Sequence, residues 1–179
     1  MLVQRLIVIV MLALSAPLVL AECPDWLVEE FNRLRSTETV NLCEAFAGKP
    51  LLIVNTASFC GYTGQFTGLE ALHRSYGPRG LVVIGVPSND FRQEAASQDK
   101  TAEVCFVDYE VTFTMTAPQR VRGTDAHPLF RELARRSGSE PQWNFNKYLV
   151  DQGTGEVRHF SSQVRPGDDS LKGAIESLL

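Results

Sequence analysis

The sequence predicts an α/β fold in which a central mixed sheet is flanked by helices. Two continuous apolar runs, residues 51–54 and 81–86, are typical of strands that are covered on both faces. Residues 65–76 lie between them and carry apolar side chains at close to helical spacing. Two buried strands joined through a helix form a parallel unit, and a later hairpin and helix extend the sheet with antiparallel strands.

Each element follows from its local pattern, which glycine, proline and polar turns interrupt. A hairpin precedes the first buried strand, a Gly-Pro-Arg-Gly stretch ends the central helix, and a polar loop follows the second buried strand. In chain order we predict a hairpin at 31–34 and 40–42, a strand at 51–54, a helix at 65–76, a strand at 81–86, a helix at 101–107, an extended segment at 113–121, a helix at 128–136, a hairpin at 147–150 and 156–160, and a helix at 169–179 capped by Asp168.

The N-terminal residues have the layout of a secretory signal peptide. Arg5 supplies a positive charge, residues 6–20 are almost entirely apolar, and Ala21 is the small residue that a cleavage site requires. A membrane anchor is the alternative, but the apolar run is shorter than the roughly 20 residues that span a bilayer. We therefore expect residues 1–21 to be removed and residues 22–179 to form one domain, exported to the periplasm or the extracellular space.

Charge and composition exclude several classes of function. The formal net charge is −4 with both signs interspersed, so no basic stripe supports nucleic-acid binding. His73, His127 and His159 are scattered and adjoin no cysteine at ligand spacing. We therefore predict no nucleic-acid partner, no metal and no cofactor, and no membrane contact once the signal peptide is removed.

Cys60 is the candidate reactive thiol. It follows the first buried strand and leads into the helix predicted to begin near Gln65. Ligand sites in such sheets lie beyond the carboxyl ends of the strands, and a helix N-terminus offers free N–H groups that favour a thiolate. An inert buried cysteine is the alternative that these residues leave open.

Four segments of the sequence resemble the motifs of glutathione peroxidases. Residues 55–63, NTASFCGYT, resemble the active-site segment of that family, residues 85–91, GVPSNDF, its second motif, and residues 143–145, WNF, its third. Residues 103–113 resemble the helix that carries a resolving cysteine in the thioredoxin-linked branch. The resemblance extends over about residues 31–179 and implies a thioredoxin-like fold.

The resemblance also implies the roles of individual residues. Cys60 would be the peroxidatic nucleophile that becomes a sulfenic acid, and Trp143 and Asn144 would direct their N–H groups toward its sulfur. Cys105 would be the resolving cysteine, forming a disulfide with Cys60 that a thioredoxin-like protein reduces. If Cys105 is instead a buried small apolar residue, glutathione would be the direct reductant.

Asp90 departs from the family pattern, which has a glutamine at this position. An ionised carboxylate cannot donate a hydrogen bond, and facing Cys60 it would raise the thiol pKa by like-charge repulsion. Asp90 therefore points away, is protonated, or is replaced as a donor by a neighbour such as Asn89 or a loop N–H.

The remaining cysteines, Cys23 and Cys43, both precede the Cys60 loop. Four cysteines allow three pairings, and spacing alone does not choose among them. In an oxidising compartment we expect Cys23 and Cys43 to form a structural disulfide, with two unpaired thiols as the alternative.

The leading function is a peroxidase that reduces hydrogen peroxide or organic hydroperoxides, with a thioredoxin-like protein or glutathione as reductant. One alternative is a general thiol–disulfide oxidoreductase, although Thr63 occupies the second cysteine position of a C-x-x-C pair. The other is a non-catalytic redox-sensing module. Because residues 136–142 form a short segment where tetrameric members are longer, we expect a monomer.

Overall fold

A computed structural model describes residues 23–179, so the predicted signal peptide at residues 1–21 lies outside the described residues. The elements follow one another in an order close to the predicted one. They are β1 (Glu30–Asn32), β2 (Thr39–Asn41), α1 (Leu42–Phe46), β3 (Leu51–Thr56), α2 (Gln65–Tyr76), β4 (Val82–Pro87), α3 (Gln98–Ala102), a π-helix (Glu103–Asp108), β5 (Thr114–Met115), α4 (Pro128–Ser137), β6 (Lys147–Val150), β7 (Val157–Phe160) and α5 (Asp169–Glu176).

A mixed five-stranded sheet in the order β5-β4-β3-β6-β7 forms the centre of the fold. Strand β3 pairs in parallel with β4 and antiparallel with β6, which confirms the predicted parallel unit and its antiparallel extension. The parallel strands therefore end at the same edge, and β6 begins there because Val54 of β3 pairs with Lys147. This edge brings together the loops that follow β3 and β4 and the loop that precedes β6.

The alternation of side chains along β3 divides the core into two layers. Leu52 and Val54 pack in a cluster with the apolar face of α2 and with α5, and this cluster contains both Cys60 and Cys105. Leu51 and Ile53 pack on the other face against α4. All six residues of β3 are buried, because both faces of the strand are covered.

Three local predictions are corrected by the structure. Residues 101–107 are not one regular helix, since α3 continues into the π-helix that carries Cys105. The extended segment 113–121 contributes only the short strand β5. Asp168 occupies the N-cap position of α5, but its carboxylate accepts a hydrogen bond from the N–H of Arg165 rather than from the helix.

A disulfide joins Cys23 to Cys43, as predicted, with the two Cα atoms 5.6 Å apart. It ties the start of the described chain to α1, whose N-cap Asn41 accepts hydrogen bonds from the N–H groups of Cys43 and Glu44. Within residues 23–179 no helix combines the length and apolar character needed to cross a bilayer.

Candidate active site

Cys60 lies in the turn between β3 and α2, at the carboxyl edge of the parallel strands. Its side chain is buried, and the N–H of Tyr62 points at Sγ with a nitrogen–sulfur distance of 3.4 Å. Thr63 closes the turn, because its Oγ1 accepts from the N–H of Cys60 at 2.9 Å and its hydroxyl lies 3.0 Å from the carbonyl oxygen of Ala57. The N–H of Tyr62 thus supplies a hydrogen-bond donor to the sulfur.

Asn55, at the start of the same motif, holds the loop that precedes β6. Its side-chain amide donates to the carbonyl oxygen of Trp143 at 2.9 Å, and its Oδ1 accepts from the N–H of Asn146 at 3.0 Å. Its backbone carbonyl also accepts from the N–H of Phe145 at 2.6 Å. Phe145 has a φ of 62°, which is rare for a bulky residue. The hydrogen bonds of Asn55 to this loop stabilise that backbone conformation.

Asn144 is consequently buried at the same edge of the sheet. Its Nδ2 donates to Gln93 Oε1 at 3.0 Å, and its Oδ1 has no hydrogen-bond partner within residues 23–179. A side-chain amide carries two N–H donors, and only the one directed at Gln93 is engaged within residues 23–179. In the described part of the chain Cys60 Sγ accepts from Tyr62, and neither Asn144 nor Trp143 donates to it.

Trp143 is partly exposed and packs against the motif that follows β4. Its ring centroid lies 5.4 Å from that of Phe91, and the guanidinium of Arg122 lies over the Phe91 ring. Tyr62 and Trp143 also line a cavity of about 490 Å³. The imidazole of His159, whose pKa is lowered by burial, also lines this cavity. The remaining lining residues carry uncharged polar side chains: Gln142, Asn146, Ser161, Ser162 and Gln163.

The carboxylate of Asp90 contacts the segment that follows β5. Its Oδ1 lies 2.5 Å from Nε of Arg120, and its Oδ2 accepts from the N–H groups of Val121 and Arg122 at 2.7 and 3.2 Å. Asp90 therefore ties the loop after β4 to residues 120–122, and both of its oxygens are engaged there.

Gln93 was not singled out from the sequence, yet it is the glutamine whose side chain contacts Asn144. It lies in the same loop as Asp90, and its backbone carbonyl accepts from the N–H of Phe59 at 2.9 Å, next to Cys60. The sequence does show an amide residue close to the second motif. The loop has no periodicity, however, so its sequence does not indicate which of its side chains points inward.

Cys105 lies on the π-helix, and its side chain is 1% exposed. Burial, assisted by the negative charge of Glu94, raises the pKa of the Cys105 thiol to about 12. Cys60 and Cys105 are both free thiols within one apolar cluster. In the described conformation Cys105 is therefore a protonated, enclosed thiol.

Lys147 contacts the loop that follows β7, which in turn contacts Asn144. Its fully buried amine donates to the carbonyl oxygen of Val164 at 2.6 Å, and burial lowers its pKa to about 7. In the same loop, the hydroxyl of Ser162 donates to the carbonyl oxygen of Asn144 at 2.6 Å. The amine thus holds the loop that positions Asn144.

Comparisons with a family model and with known proteins agree in identifying peroxidases as relatives of this chain. A family model described as Glutathione peroxidase matches residues 29–134. Hydroperoxy fatty acid reductase Gpx2 of Synechocystis sp. is 42% identical over 137 residues, which cover 76% of this chain and 88% of that protein. A glutathione peroxidase of Lactococcus lactis subsp. cremoris is 37% identical over 147 residues, covering 79% of this chain and 92% of that protein.

Solved structures show the same fold. The crystal structure of Trgpx in apo form superposes with a TM-score of 0.67 at 26% identity, covering 86% of this chain and 94% of that one. The structure of MTB dsbF shares the thioredoxin-like fold at 18% identity, with a TM-score of 0.61 and coverage of 88% and 99%. The predicted thioredoxin-like fold is thereby confirmed. The chain belongs to the glutathione peroxidase family and is a cysteine-based peroxidase.

Proposed function

We propose that this peroxidase works by a two-cysteine cycle in which Cys60 attacks the peroxide and Cys105 resolves the product. The observation that carries the proposal is the pair of free thiols in one cluster, with an N–H group aimed at Cys60 and Asn144 buried at the same edge. A thioredoxin-like dithiol is the reductant of this cycle.

The first step oxidises Cys60. The thiol and the hydroperoxide react to give a sulfenic acid and an alcohol or water: sulfur attacks one peroxide oxygen, the O–O bond breaks, and the thiol proton goes to the departing oxygen. Tyr62 N–H stabilises the attacking thiolate. The free N–H of Asn144 stabilises charge on the departing oxygen, while Gln93 keeps the amide oriented.

The second step requires Cys105 to leave its enclosed position. Its thiol attacks the sulfur of the sulfenic acid, the S–O bond breaks, and water carries off the oxygen with the thiol proton. Cys105 lies on a π-helix that continues a short α-helix, and π-helical turns are rare and frequently lie at functional sites. Once outside, the thiol regains a more ordinary pKa and becomes a better nucleophile.

The apolar surface beside Cys60 favours hydroperoxides that carry an apolar chain. Phe59 is 58% exposed and Trp143 is 40% exposed, and both adjoin the residues of the site. The relative named hydroperoxy fatty acid reductase is consistent with such a substrate. Phe59→Ser should slow the reaction with a long-chain fatty acid hydroperoxide and leave the reaction with hydrogen peroxide unchanged.

We also propose that the protein is exported, is cleaved after Ala21 and acts as a monomer. The Cys23–Cys43 disulfide supports an oxidising compartment. Amino-terminal analysis of the protein from a secreting host should begin at Glu22, and light scattering should give the mass of one chain.

The decisive experiment is disulfide mapping after one equivalent of peroxide. The cycle predicts a Cys60–Cys105 disulfide, no peroxide consumption in Cys60→Ser, and no thioredoxin-supported turnover in Cys105→Ser. Full thioredoxin-supported turnover in Cys105→Ser would show that the resolving role is wrong, because the reductant would then act directly on oxidised Cys60.

A further inference from the structure

A single carboxylate oxygen connects the segment that carries Cys60 to the segment that carries Cys105. Glu94 Oε1 accepts from the hydroxyl of Ser58 at 2.5 Å, from the hydroxyl of Thr101 at 2.8 Å and from the N–H of Ala95 at 2.7 Å. Ser58 lies just before Cys60, and Thr101 lies one helical turn before Cys105.

These hydrogen bonds are protected from solvent. Ser58 is 7% exposed, Thr101 is 1% exposed, and Glu94 itself is partly buried. Within the described residues Glu94 forms no ion pair, so its charge is balanced by hydroxyl and N–H donors. Hydrogen bonds to a charged acceptor are stronger than neutral ones, and stronger still away from water.

The Cys105 segment, which is α3 together with the π-helix (residues 98–108), has few other attachments of this kind. Val104 and Cys105 are buried, but Phe106 and Val107 are exposed, so the later part of the π-helix gains little from packing. At the start of α3, the ion pair of Asp99 with Arg35 and the hydrogen bond from the N–H of Arg35 to the side chain of Gln98 both lie on the exposed surface. The hydrogen bond between Thr101 and Glu94 is therefore a principal polar attachment of this segment to the loop of the second motif.

We propose that Glu94 is a positioning residue that latches the Cys105 segment to the Cys60 loop, and that release of Thr101 sets how fast Cys105 reaches the Cys60 sulfenic acid. The part of this inference that concerns the rate at which Cys105 reaches the sulfenic acid rests on the proposed two-cysteine cycle. The chemistry is unchanged: thiol and sulfenic acid give a disulfide and water, and Glu94 neither gains nor loses a proton.

The latch also keeps the resolving thiol unreactive until it is needed. While Thr101 is bound, Cys105 stays enclosed and close to the charge of Glu94, and both effects disfavour its thiolate. Release of the segment removes both effects together. Release of the segment and activation of the thiol therefore occur together, and Cys105 becomes nucleophilic only when the segment is free to move.

The first test measures opening in the reduced protein. In a Cys60→Ser background Cys105 is the free thiol, so its alkylation rate reports opening of the segment. Thr101→Val keeps the shape but removes the hydroxyl, which contacts Glu94 Oε1 at 2.8 Å and also lies 3.1 Å from the carbonyl oxygen of Ser97, whereas Thr101→Ser keeps the donor. We expect alkylation to be faster by on the order of 10-fold in Thr101→Val, and within about 2-fold of the parent in Thr101→Ser.

The control for Glu94→Gln removes a different negative charge, that of Glu103, which lies in the Cys105 segment itself. Glu103 is exposed and pairs with Lys100 at 2.8 Å, so Glu103→Gln should leave alkylation of Cys105 unchanged. Glu94→Gln should also accelerate it, because a neutral amide oxygen accepts more weakly from Thr101 and the negative charge near Cys105 is lost. The effects of Glu94→Gln and Thr101→Val should be less than additive in the double variant, because both weaken the same Thr101–Glu94 hydrogen bond. If Glu94→Gln does not fold, the comparison of Thr101→Val with Thr101→Ser tests the proposal by itself.

The second test follows the cycle by rapid mixing with peroxide. In Thr101→Val, disulfide formation should accelerate by the factor seen in alkylation, and the second-order rate of peroxide attack on Cys60 should stay unchanged. A folded Thr101→Val whose alkylation rate equals that of the parent would overturn the latch. Accelerated alkylation without any Cys60–Cys105 disulfide in the wild type would overturn its role in resolution and the two-cysteine cycle, leaving the latch itself standing.

Discussion

Asp90 and Arg120 form an ion pair in which Oδ1 lies 2.5 Å from Nε, and the side chain of Asp90 is 5% exposed. The pair joins the loop after β4 to the segment after β5, and two backbone N–H groups complete the coordination of the carboxylate. The residue at the family's glutamine position is thus engaged in holding two loops together. We therefore expect substitution of Asp90 to change the stability of the fold.

Asp90→Asn should lower the free energy of unfolding by about 1 to 2 kcal/mol, because the hydrogen bonds to a charged acceptor become weaker neutral ones. The pH dependence of Cys60 alkylation should match that of the wild type. Denaturant unfolding and iodoacetamide kinetics measure the two quantities, with the exposed Asp125→Asn as control. A shifted alkylation profile would mean that the Asp90 carboxylate faces the sulfur.

Gln93→Leu should slow peroxide attack on Cys60 by roughly 10-fold, because Asn144 loses the acceptor that orients its amide. The proper control is Gln142→Leu, the same substitution next to Trp143 at a side chain that donates only to the carbonyl oxygen of Glu140. Stopped-flow rates with hydrogen peroxide test this. Equal rates in the two variants would show that Gln93 does not orient Asn144.

Replacing both Cys23 and Cys43 by serine should lower the free energy of unfolding by about 3 kcal/mol, the chain-entropy value for a loop of this size. The reaction of Cys60 with peroxide should persist, since Cys43 packs in the opposite core layer from Cys60. Urea unfolding and stopped-flow kinetics measure these effects. Finding two alkylatable thiols at these positions in the unreduced protein would contradict the pairing.

Lys147 should make the stability of the protein depend on pH above neutrality. Burial lowers its folded pKa to about 7, whereas the unfolded side chain titrates near its ordinary 10.5. Between these values the unfolded chain binds more protons, so the free energy of unfolding rises with pH, by at most about 1.4 kcal/mol per pH unit. Below about pH 7 the amine is protonated in both states and the contribution is constant.

The comparison variant is Lys147→Met, which keeps the length of the side chain and removes its titration. The unfolding free energy of the wild type minus that of the variant should increase from pH 7 to pH 9.5 and stay level below pH 7. Other titrating groups cancel in this difference. A difference that is level over the whole range would show that Lys147 stays charged in the folded protein.

Local sequence was sufficient for the main elements of the sheet and for the helix that follows Cys60. The apolar run at residues 51–54 lies within β3, and the predicted helix at residues 65–76 matches α2. These elements are set by side-chain periodicity and by the breakers that bound them, which are properties of neighbouring residues. The position of Cys60 at the carboxyl edge followed for the same reason.

The inward side chains of the loops were decided by tertiary structure. The loop after β4 contains Asp90, Gln93 and Glu94, and no periodicity shows that the first contacts Arg120, the second Asn144, and the third both Ser58 and Thr101. The partners come from distant parts of the chain, and the sheet brings them to one edge. A buried polar group must find a hydrogen-bond partner wherever the fold supplies one, so these assignments depend on contacts that a local pattern does not encode.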